Sequence, residues 1–232
     1  GTGTGFSAEF RKNKAEHIAE CGNVILKMTT SVLKKSNCEL RRLTVENSGH
    51  KKPIKGKLVV YFDPCIEKRE AYSSHPAFSK LFLTDDWDEK NNCYLFSRRG
   101  SAGDSVFSAA GFIEDAAVSH ESDREKVLTT PEGVFSVGKK TKFKGRRGNP
   151  DCCCAFSIDI ELKPRESVSY TLALTAGETR EQALETLQTV RAEKKERKFG
   201  VNPLHSDSFE NIVGGEMLTG ALYPKQSMKR NK

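Results

Sequence analysis

The segment from Cys152 to Thr175, CCCAFSIDIELKPRESVSYTLALT, decides the fold because apolar and polar residues alternate along it twice. Apolar side chains recur at every second position from Cys154 to Leu162 and again from Val168 to Leu174. This period of two residues predicts strands with one apolar and one polar face, as in antiparallel sheets that pack face to face. Because the turn sequence Lys-Pro-Arg-Glu separates the two strands, we expect them to pair as a hairpin.

The same alternation recurs in PIKGKLVVYF, where Ile54, Leu58 and Phe62 share one face. Glycine, asparagine and proline separate the other apolar runs at spacings that are typical of sandwiches. The sequence therefore predicts a mainly β protein, built as a two-layer antiparallel β-sandwich. Its further strands are predicted at Asn23–Leu33, Glu39–Glu46, Ala77–Thr84, Cys93–Arg98 and Val106–Ile113.

The periodicity becomes helical after the last strand. Thr179-Arg-Glu-Gln182 is a capping-box pattern, and apolar residues follow it at helical spacing, which predicts a helix from about Arg180 to about Arg197. A second, shorter helix is predicted from Ser208 to Leu222. The predicted organisation is a sandwich over residues 1–177, a helical linker over 178–224 and a basic, disordered tail over 225–232.

Composition excludes several classes of protein. Of the 232 residues, 36% are hydrophobic and 30% are charged, which is typical of a soluble globular domain. No apolar run is long enough for a membrane helix, and the first residues lack the apolar region of a signal peptide. We therefore expect that the sequence begins within a longer protein. The net charge of +7 is spread along the chain, and its densest run, Arg191–Lys198, contains two glutamates. We therefore expect no nucleic-acid or membrane partner.

The seven cysteines do not predict a metal site, because no CxxC pair is present. Adjacent strand residues face opposite sides, so the triplet Cys152-Cys153-Cys154 cannot direct three thiolates at one metal ion. We expect reduced thiols that act as small, buried apolar groups in a cytoplasmic protein.

The acidic stretch Asp85–Glu89 surrounds the only tryptophan, Trp87. Its ring could stack on a pyranose while the carboxylates accept hydrogen bonds from sugar hydroxyls. The alternative, which the position between two predicted strands favours, is a polar loop. His75 likewise could bind a glycan or could be a loop histidine fixed by Pro76.

Several blocks of the sequence resemble blocks of one known family. The octamer HPAFSKLF at His75–Phe82 is the most specific of them, because all eight residues match the family's block. The family is glycoside hydrolase family 94, and the resemblance is to the amino-terminal β-sandwich of its 1,2-β-oligoglucan phosphorylase and cyclic β-1,2-glucan synthase branch. The other similar blocks are RRLTVEN (Arg41–Asn47), ESDR (Glu121–Arg124), GRRGNP (Gly145–Pro150), DCCCAFSIDIEL (Asp151–Leu162) and MLTGALYP (Met217–Pro224).

The resemblance implies a galactose-mutarotase-like supersandwich whose helical linker leads to an (α/α)6 barrel outside this chain. Enzymes of the family are glycosyltransferases of carbohydrate metabolism that cleave a β-glucoside with inorganic phosphate. The reaction inverts the anomeric carbon and gives α-glucose 1-phosphate, which requires a carboxylic acid to protonate the leaving oxygen. In the family that acid lies in the barrel. We therefore expect no catalytic residue, no metal and no cofactor here, with phosphate as co-substrate of the parent enzyme, and an inactive isolated chain.

The resemblance further implies that the sandwich supports the barrel, contributes to a homodimer and shapes the acceptor side of the cleft for a β-glucan oligosaccharide. The candidate substrate-binding residues are His75, Trp87, Arg124, Arg146 and Arg147, and solvated loop arginines are the alternative for the last three. Two other functions stay open. One is a stand-alone carbohydrate-binding module, and the other is the phosphorylase-like portion of a membrane cyclic β-1,2-glucan synthase.

Overall fold

The computed structural model describes residues 4–12, 14–34, 36–67, 72, 74, 80–99, 105–128, 151–196 and 201–202. Most of them lie in antiparallel strands. The strands are β1 (Thr4–Arg11), β2 (Lys14–Cys21), β3 (Val24–Leu33), β4 (Cys38–Asn47), β5 (Ile54–Phe62), β6 (Leu83–Asp88), β7 (Cys93–Arg99), β8 (Ser105–Phe112), β9 (Ser119–Asp123), β10 (Cys152–Leu162), β11 (Ser167–Gly177) and β12 (Val201–Asn202). The helices are α1 (Arg124–Val127) and α2 (Arg180–Glu196).

The strands form two sheets of unequal size. The larger has the order β1-β2-β3-β4-β11-β8-β7-β6, with β12 beside the end of β3, and the smaller has the order β5-β10-β9. The smaller sheet covers part of one face of the larger, and α2 packs on the opposite face. The architecture confirms the predicted mainly β, two-layer antiparallel sandwich with a helix after it.

The core between the sheets is built from the alternating apolar positions. Phe156 and Ile158 of the small sheet pack in one cluster with Leu172 and Phe112 of the large sheet, and all four are buried. Complete burial of a side chain of this size stabilises the fold by about 1.5–3 kcal/mol. Asp159 and Glu161, on the opposite face of β10, stay exposed, whereas Ser157 on that face is buried.

The predicted hairpin of β10 with β11 is wrong, because the two strands lie in different sheets. The chain crosses the sandwich at Arg165, whose φ of 65° reverses its direction. Buried Asn47 holds the crossing: its Nδ2 donates to the carbonyls of Leu162 (3.3 Å) and Lys163 (3.0 Å), and its carbonyl accepts from the Arg165 amide (2.9 Å). The crossing turns the apolar faces of both strands towards the same core.

Helix α2 begins at the predicted cap and covers the outer face of the large sheet. The Thr179 hydroxyl accepts a hydrogen bond from the amide of Gln182 at 3.2 Å. Leu187 and Val190 are fully buried against the sheet. Arg191 donates to the carbonyls of Asn91 (2.6 Å) and Phe112 (2.9 Å), which ties the helix to the turn between β6 and β7 and to the end of β8. The second predicted helix and the predicted tail lie outside the described residues.

Two local predictions need correction. Residues 77–79 of the strand expected at Ala77–Thr84 lie outside the described residues, and among the described ones the strand begins only at Leu83, as β6 (Leu83–Asp88). The polar loop expected at Asp85–Glu89 is therefore wrong for Asp85–Asp88, which are strand. Alternation in β6 directs Trp87 into the core, and the reversal comes later, at Asn92 with a φ of 46°. The β1–β2 hairpin was not predicted, because β1 is exposed along its length and has little apolar contrast. Within the described residues, no helix combines the length and the hydropathy that a membrane span requires.

Candidate functional site

Three of the sequence blocks meet at one end of the sandwich. Pairing of β10 with β5 and β9 sets Cys154 opposite Phe62 and Cys152 opposite Asp123, so the residues that follow β5 and β9 lie beside those that precede β10. Lys80, from the block HPAFSKLF, reaches the same place just before β6. We call this place the motif end, defined by Tyr61, Asp63, Lys80, Arg124 and Asp151.

Two cations at the motif end bridge the same two carboxylates. The Lys80 Nζ lies 3.2 Å from Asp63 Oδ2 and 3.5 Å from Asp151 Oδ1. The Arg124 Nη1 lies 3.4 Å from Asp151 Oδ2, and its Nε lies 3.7 Å from Asp63 Oδ1. The arrangement links HPAFSKLF, ESDR and the aspartate before the cysteine triplet to the end of β5.

Tyr61 is the fifth member of this network. Its hydroxyl donates to Asp63 Oδ1 at 2.5 Å and accepts from Arg124 Nε at 3.3 Å. Burial, followed by the hydrogen bond to Asp63, raises the pKa of Tyr61 above its usual value, so the phenol stays neutral. Burial lowers the pKa of Arg124, but its contacts with Tyr61, Asp63 and Asp151 outweigh that effect, so the guanidinium stays charged.

Arg124 is held in place by the junction of β9 and α1. Asp123 caps the helix, accepting a hydrogen bond from the amide of Glu125. Buried Glu121 accepts from the amides of Ser122 (3.1 Å) and Asp123 (3.0 Å) with one carboxylate oxygen. The ESDR block thus folds as a strand end and a one-turn helix that together aim Arg124 at the two aspartates.

The motif end offers hydrogen-bond donors and carboxylate acceptors, and two apolar side chains follow Lys80 directly in the sequence. Its two cations and two carboxylates balance in charge, and each carboxylate is paired. Beside them, Leu81 and Phe82 are 67% and 52% exposed although both are large apolar residues. The motif end thus combines a paired, partly exposed charge network with two neighbouring exposed apolar side chains.

The described residues contain no group of three or more His, Cys, Asp or Glu side chains that could hold a metal ion. All seven cysteines are free thiols, and all but Cys21 are buried. Burial raises the pKa of Cys38, Cys93 and Cys152 to about 12, so they are neutral at physiological pH. Cys153 faces the opposite side of β10 from its two neighbours, as alternation predicts.

The predicted binding residues do not all come together. Arg124 lies in the motif end, whereas Trp87 lies in the core with 6% of its surface exposed. Its indole stacks on the His120 imidazole, with ring centroids 3.5 Å apart, and meets Tyr94 edge to face. A sugar could not stack on that face of the indole while the His120 imidazole occupies it. The other candidates, His75, Arg146 and Arg147, lie outside the described residues.

Sequence reasoning missed four of the five residues of the motif end. Lys80 and Asp151 lie within quoted blocks, which was the available signal, but their charges have no periodic pattern that would single them out. Tyr61 and Asp63 lie at the end of a strand, bond to each other locally, and gain their roles through contacts with Lys80 and Arg124, which are distant in sequence.

Comparison with known proteins identifies the domain type. The family model described as "Glycosyl hydrolase 94, supersandwich domain" matches residues 2–193. A chain of the bacterial glucoamylase complexed with acarbose has a similar fold, with a TM-score of 0.53 and 14% identity over 83% of this chain and 26% of that one. This likeness concerns the fold alone.

Two curated relatives share part of their sequence with this chain. The cyclic beta-(1,2)-glucan synthase NdvB of Rhizobium meliloti (strain 1021) is 29% identical over 169 residues, which are 72% of this chain and 6% of that protein. Fructose-bisphosphate aldolase of Saccharomyces cerevisiae is 30% identical over 134 residues, which are 50% of this chain and 37% of the yeast protein. The second match covers too little of either chain to assign a shared family. The chain thus spans only a small part of the relatives it matches.

Proposed function

We propose, from the premise that this chain belongs to the glycosyl hydrolase 94 supersandwich family, that it is the non-catalytic β-sandwich of a glycoside phosphorylase. The parent enzyme would reversibly phosphorolyse β-1,2-linked glucooligosaccharides and release α-D-glucose 1-phosphate with inversion. The similarity to a cyclic β-(1,2)-glucan synthase supports this linkage. Inorganic phosphate would be the co-substrate, and the acid that protonates the leaving oxygen would lie in a catalytic barrel elsewhere in the parent protein.

The observation that carries this proposal is the convergence of three blocks at the motif end. The octamer HPAFSKLF contributes Lys80 to the paired network and leaves Leu81 and Phe82 exposed beside it. Apolar residues that are exposed next to ordered charges are suited to docking against another surface. We assign the motif end as the face that contacts the catalytic barrel and the acceptor part of the glucan.

In this proposal Arg124 contributes to the rim of the glucan site. Its guanidinium is charged, 35% of its side chain is exposed, and it can donate to a sugar hydroxyl beside Asp151. His75, Arg146 and Arg147 are the further candidates for the same rim. Trp87 acts indirectly, because it packs in the core and orders β6.

The proposed organisation keeps residues 1–177 as the sandwich, residues 178–224 as a linker to the barrel, and residues 225–232 as a tail. Packing of α2 on the large sheet and the family match to residue 193 support an organisation in which the first part of the linker packs on the sandwich. We further propose a homodimeric parent enzyme in the cytoplasm, where the free thiols of this chain would stay reduced.

A second candidate is the corresponding portion of a cyclic β-1,2-glucan synthase, which the match to NdvB favours. The two candidates differ in what the parent protein makes. Incubation of the parent protein with β-1,2-glucotriose and phosphate should release glucose 1-phosphate if it is a phosphorylase. Formation of cyclic glucans from a nucleotide-sugar donor would favour the synthase.

The role of the motif end can be tested in the parent enzyme with Lys80→Ala. We expect kcat/KM for β-1,2-glucotriose to fall by about threefold or more, because the variant removes the Lys80 cation that the three blocks share. The matched control is Lys57→Ala, which removes an exposed lysine that pairs with Asp159 at 2.7 Å on the outside of β5. If both variants phosphorolyse the trisaccharide like the wild type, the motif end does not shape the cleft.

A further inference from the structure

The large sheet extends beyond the small one and leaves an apolar edge uncovered. Phe6 and Phe10 on β1 are 58% and 75% exposed. Both lie on the same face as His17 of β2, whose ring they contact with centroids 6.2 and 5.7 Å apart. The β3 and β4 residues in register with His17, Met28 and Leu43, are buried beneath the small sheet. The inner face therefore continues, without cover, to the edge of the sheet.

The second feature of β1 is its outer edge, the side of the strand that faces away from β2. Within the part of the chain that the structure describes, β1 pairs with β2 alone. Arg11 lies opposite Lys14 across a two-residue turn, a geometry that joins a hydrogen-bonded pair. Hydrogen bonding alternates along an antiparallel pair, so Phe6, Ala8 and Phe10 direct their N–H and C=O groups outward. The residues with exposed aromatic side chains thus also carry the free backbone groups.

The opposite edge of the same sheet is protected, in contrast to β1. Strand β6 carries Asp86 and Asp88, which pair with Arg180 at 3.6 and 3.4 Å. Charged residues on an edge strand discourage the addition of another strand. On β1 the charges of Glu9 and Arg11 neutralise each other through two hydrogen bonds of 2.6 and 3.0 Å. The charges of β1 therefore balance, its Phe6–Ala8–Phe10 face is apolar, and no strand among the described residues pairs with its outer edge.

We propose that β1 pairs with β1 of a second copy of this chain, antiparallel about a twofold axis at Ala8. This register sets Ala8 opposite Ala8 and each Phe6 opposite Phe10 of the other copy, and it spans Thr4 to Lys12. Aromatic pairs directly across two strands stabilise a sheet, whereas like charges there destabilise it. The neighbouring register, centred on Glu9, would set two glutamates opposite each other. The strand is therefore complementary to itself in the register centred on Ala8, which is also the one that sets aromatic residues opposite each other.

The pairing joins the two large sheets into one and covers the exposed phenylalanines of both copies. The β1 pairing rests on the proposed function only in that it specifies the contact of the proposed homodimer. It does not depend on whether the parent enzyme carries out phosphorolysis. A chain with no phosphorylase role would still dimerise through β1, and a phosphorylase domain could fail to do so.

The test is sedimentation of the purified chain and of two edge variants. Ala8→Pro removes an outward N–H while leaving the bonds from β1 to β2 in place, because proline is tolerated on an open edge. We expect a wild-type dimer whose dissociation constant rises about tenfold or more in Ala8→Pro and in Phe10→Ser. The matched control, Phe82→Ser, removes a phenylalanine near the motif end that is 52% exposed, close to the 58% of Phe6, and it should leave the dimer intact.

Hydrogen exchange supplies a second readout that does not depend on a variant. In the wild-type dimer, the amides of Phe6, Ala8 and Phe10 should exchange more slowly as protein concentration rises. A monomer at every concentration would overturn the proposal. So would a dimer that survives both edge variants, or one that Phe82→Ser abolishes while these three amides exchange freely.

Discussion

At the scale of single residues, the sandwich encloses an ion pair that it must keep intact. Arg41 and Glu39 lie on the inner face of β4 with 2% and 8% of their side chains exposed, and Arg41 Nε is 2.5 Å from Glu39 Oε1. The guanidinium also lies over the ring of Phe62, 5.2 Å from its centroid. Its Nη1 is buried without a hydrogen-bond partner, so Glu39 is its main source of compensation.

Removing that compensation should be strongly destabilising. Glu39→Ala leaves a buried, uncompensated cation, and we expect the free energy of unfolding in urea to fall by about 3–5 kcal/mol. The control is Glu161→Ala, which removes one partner of the exposed Lys55–Glu161 pair and should leave the urea midpoint unchanged. Equal midpoints for both variants would show that the buried pair contributes no more than a surface pair.

His120 should make stability depend on pH. Burial lowers its pKa below the ordinary value of 6.5, and Glu89 and Glu121 offset that effect only partly. The unfolded chain therefore takes up the proton at a higher pH than the native chain does, so stability is full above about pH 6.5 and falls as the pH decreases. Thermal unfolding between about pH 7 and about pH 5 should show this loss, and His120→Gln should reduce it. An identical pH dependence in the variant would contradict the assignment.

At the scale of elements, α2 is part of the sandwich and not only a connector. Leu187 is fully buried in the cluster between the helix and the large sheet. Leu187→Ala should lower the free energy of unfolding by about 2–5 kcal/mol, because it leaves a cavity in that cluster. The exposed neighbour Glu185 supplies the control, since Glu185→Ala should unfold at the wild-type urea concentration. A helix that only connects two domains would tolerate both changes.

Elements with strong alternation could be predicted from the sequence, and their partners could not. The bounds of β10, β11 and α2 follow from local periodicity and capping, which are properties of neighbouring residues. The pairing of β10 with β11 was wrong because Asn47, more than a hundred residues earlier, directs the chain across the sandwich. The motif end was missed for the same reason, since Asp63 meets Lys80 and Arg124 only after folding.

At the scale of the whole molecule, six of the seven thiols should become accessible to a reagent only when the whole protein unfolds. All cysteines except Cys21 are buried, and most of them lie in the clusters that hold the two sheets and α2 together. A native sample titrated with a disulfide reagent at mildly alkaline pH should therefore react at one thiol, and a denatured sample at seven. Rapid reaction of several thiols in the native protein would mean that the sheets separate locally, without global unfolding.

The central claim is that this chain is the non-catalytic part of a phosphorylase, and phosphorolysis tests it most directly. The purified chain would be incubated with β-1,2-glucotriose and phosphate, alone and together with a separately produced barrel domain of the parent enzyme, and α-glucose 1-phosphate would be assayed. We predict no release by the chain alone, and release by the mixture above that of the barrel alone. Release by the chain alone would contradict the claim, because the catalytic acid would then lie within these 232 residues.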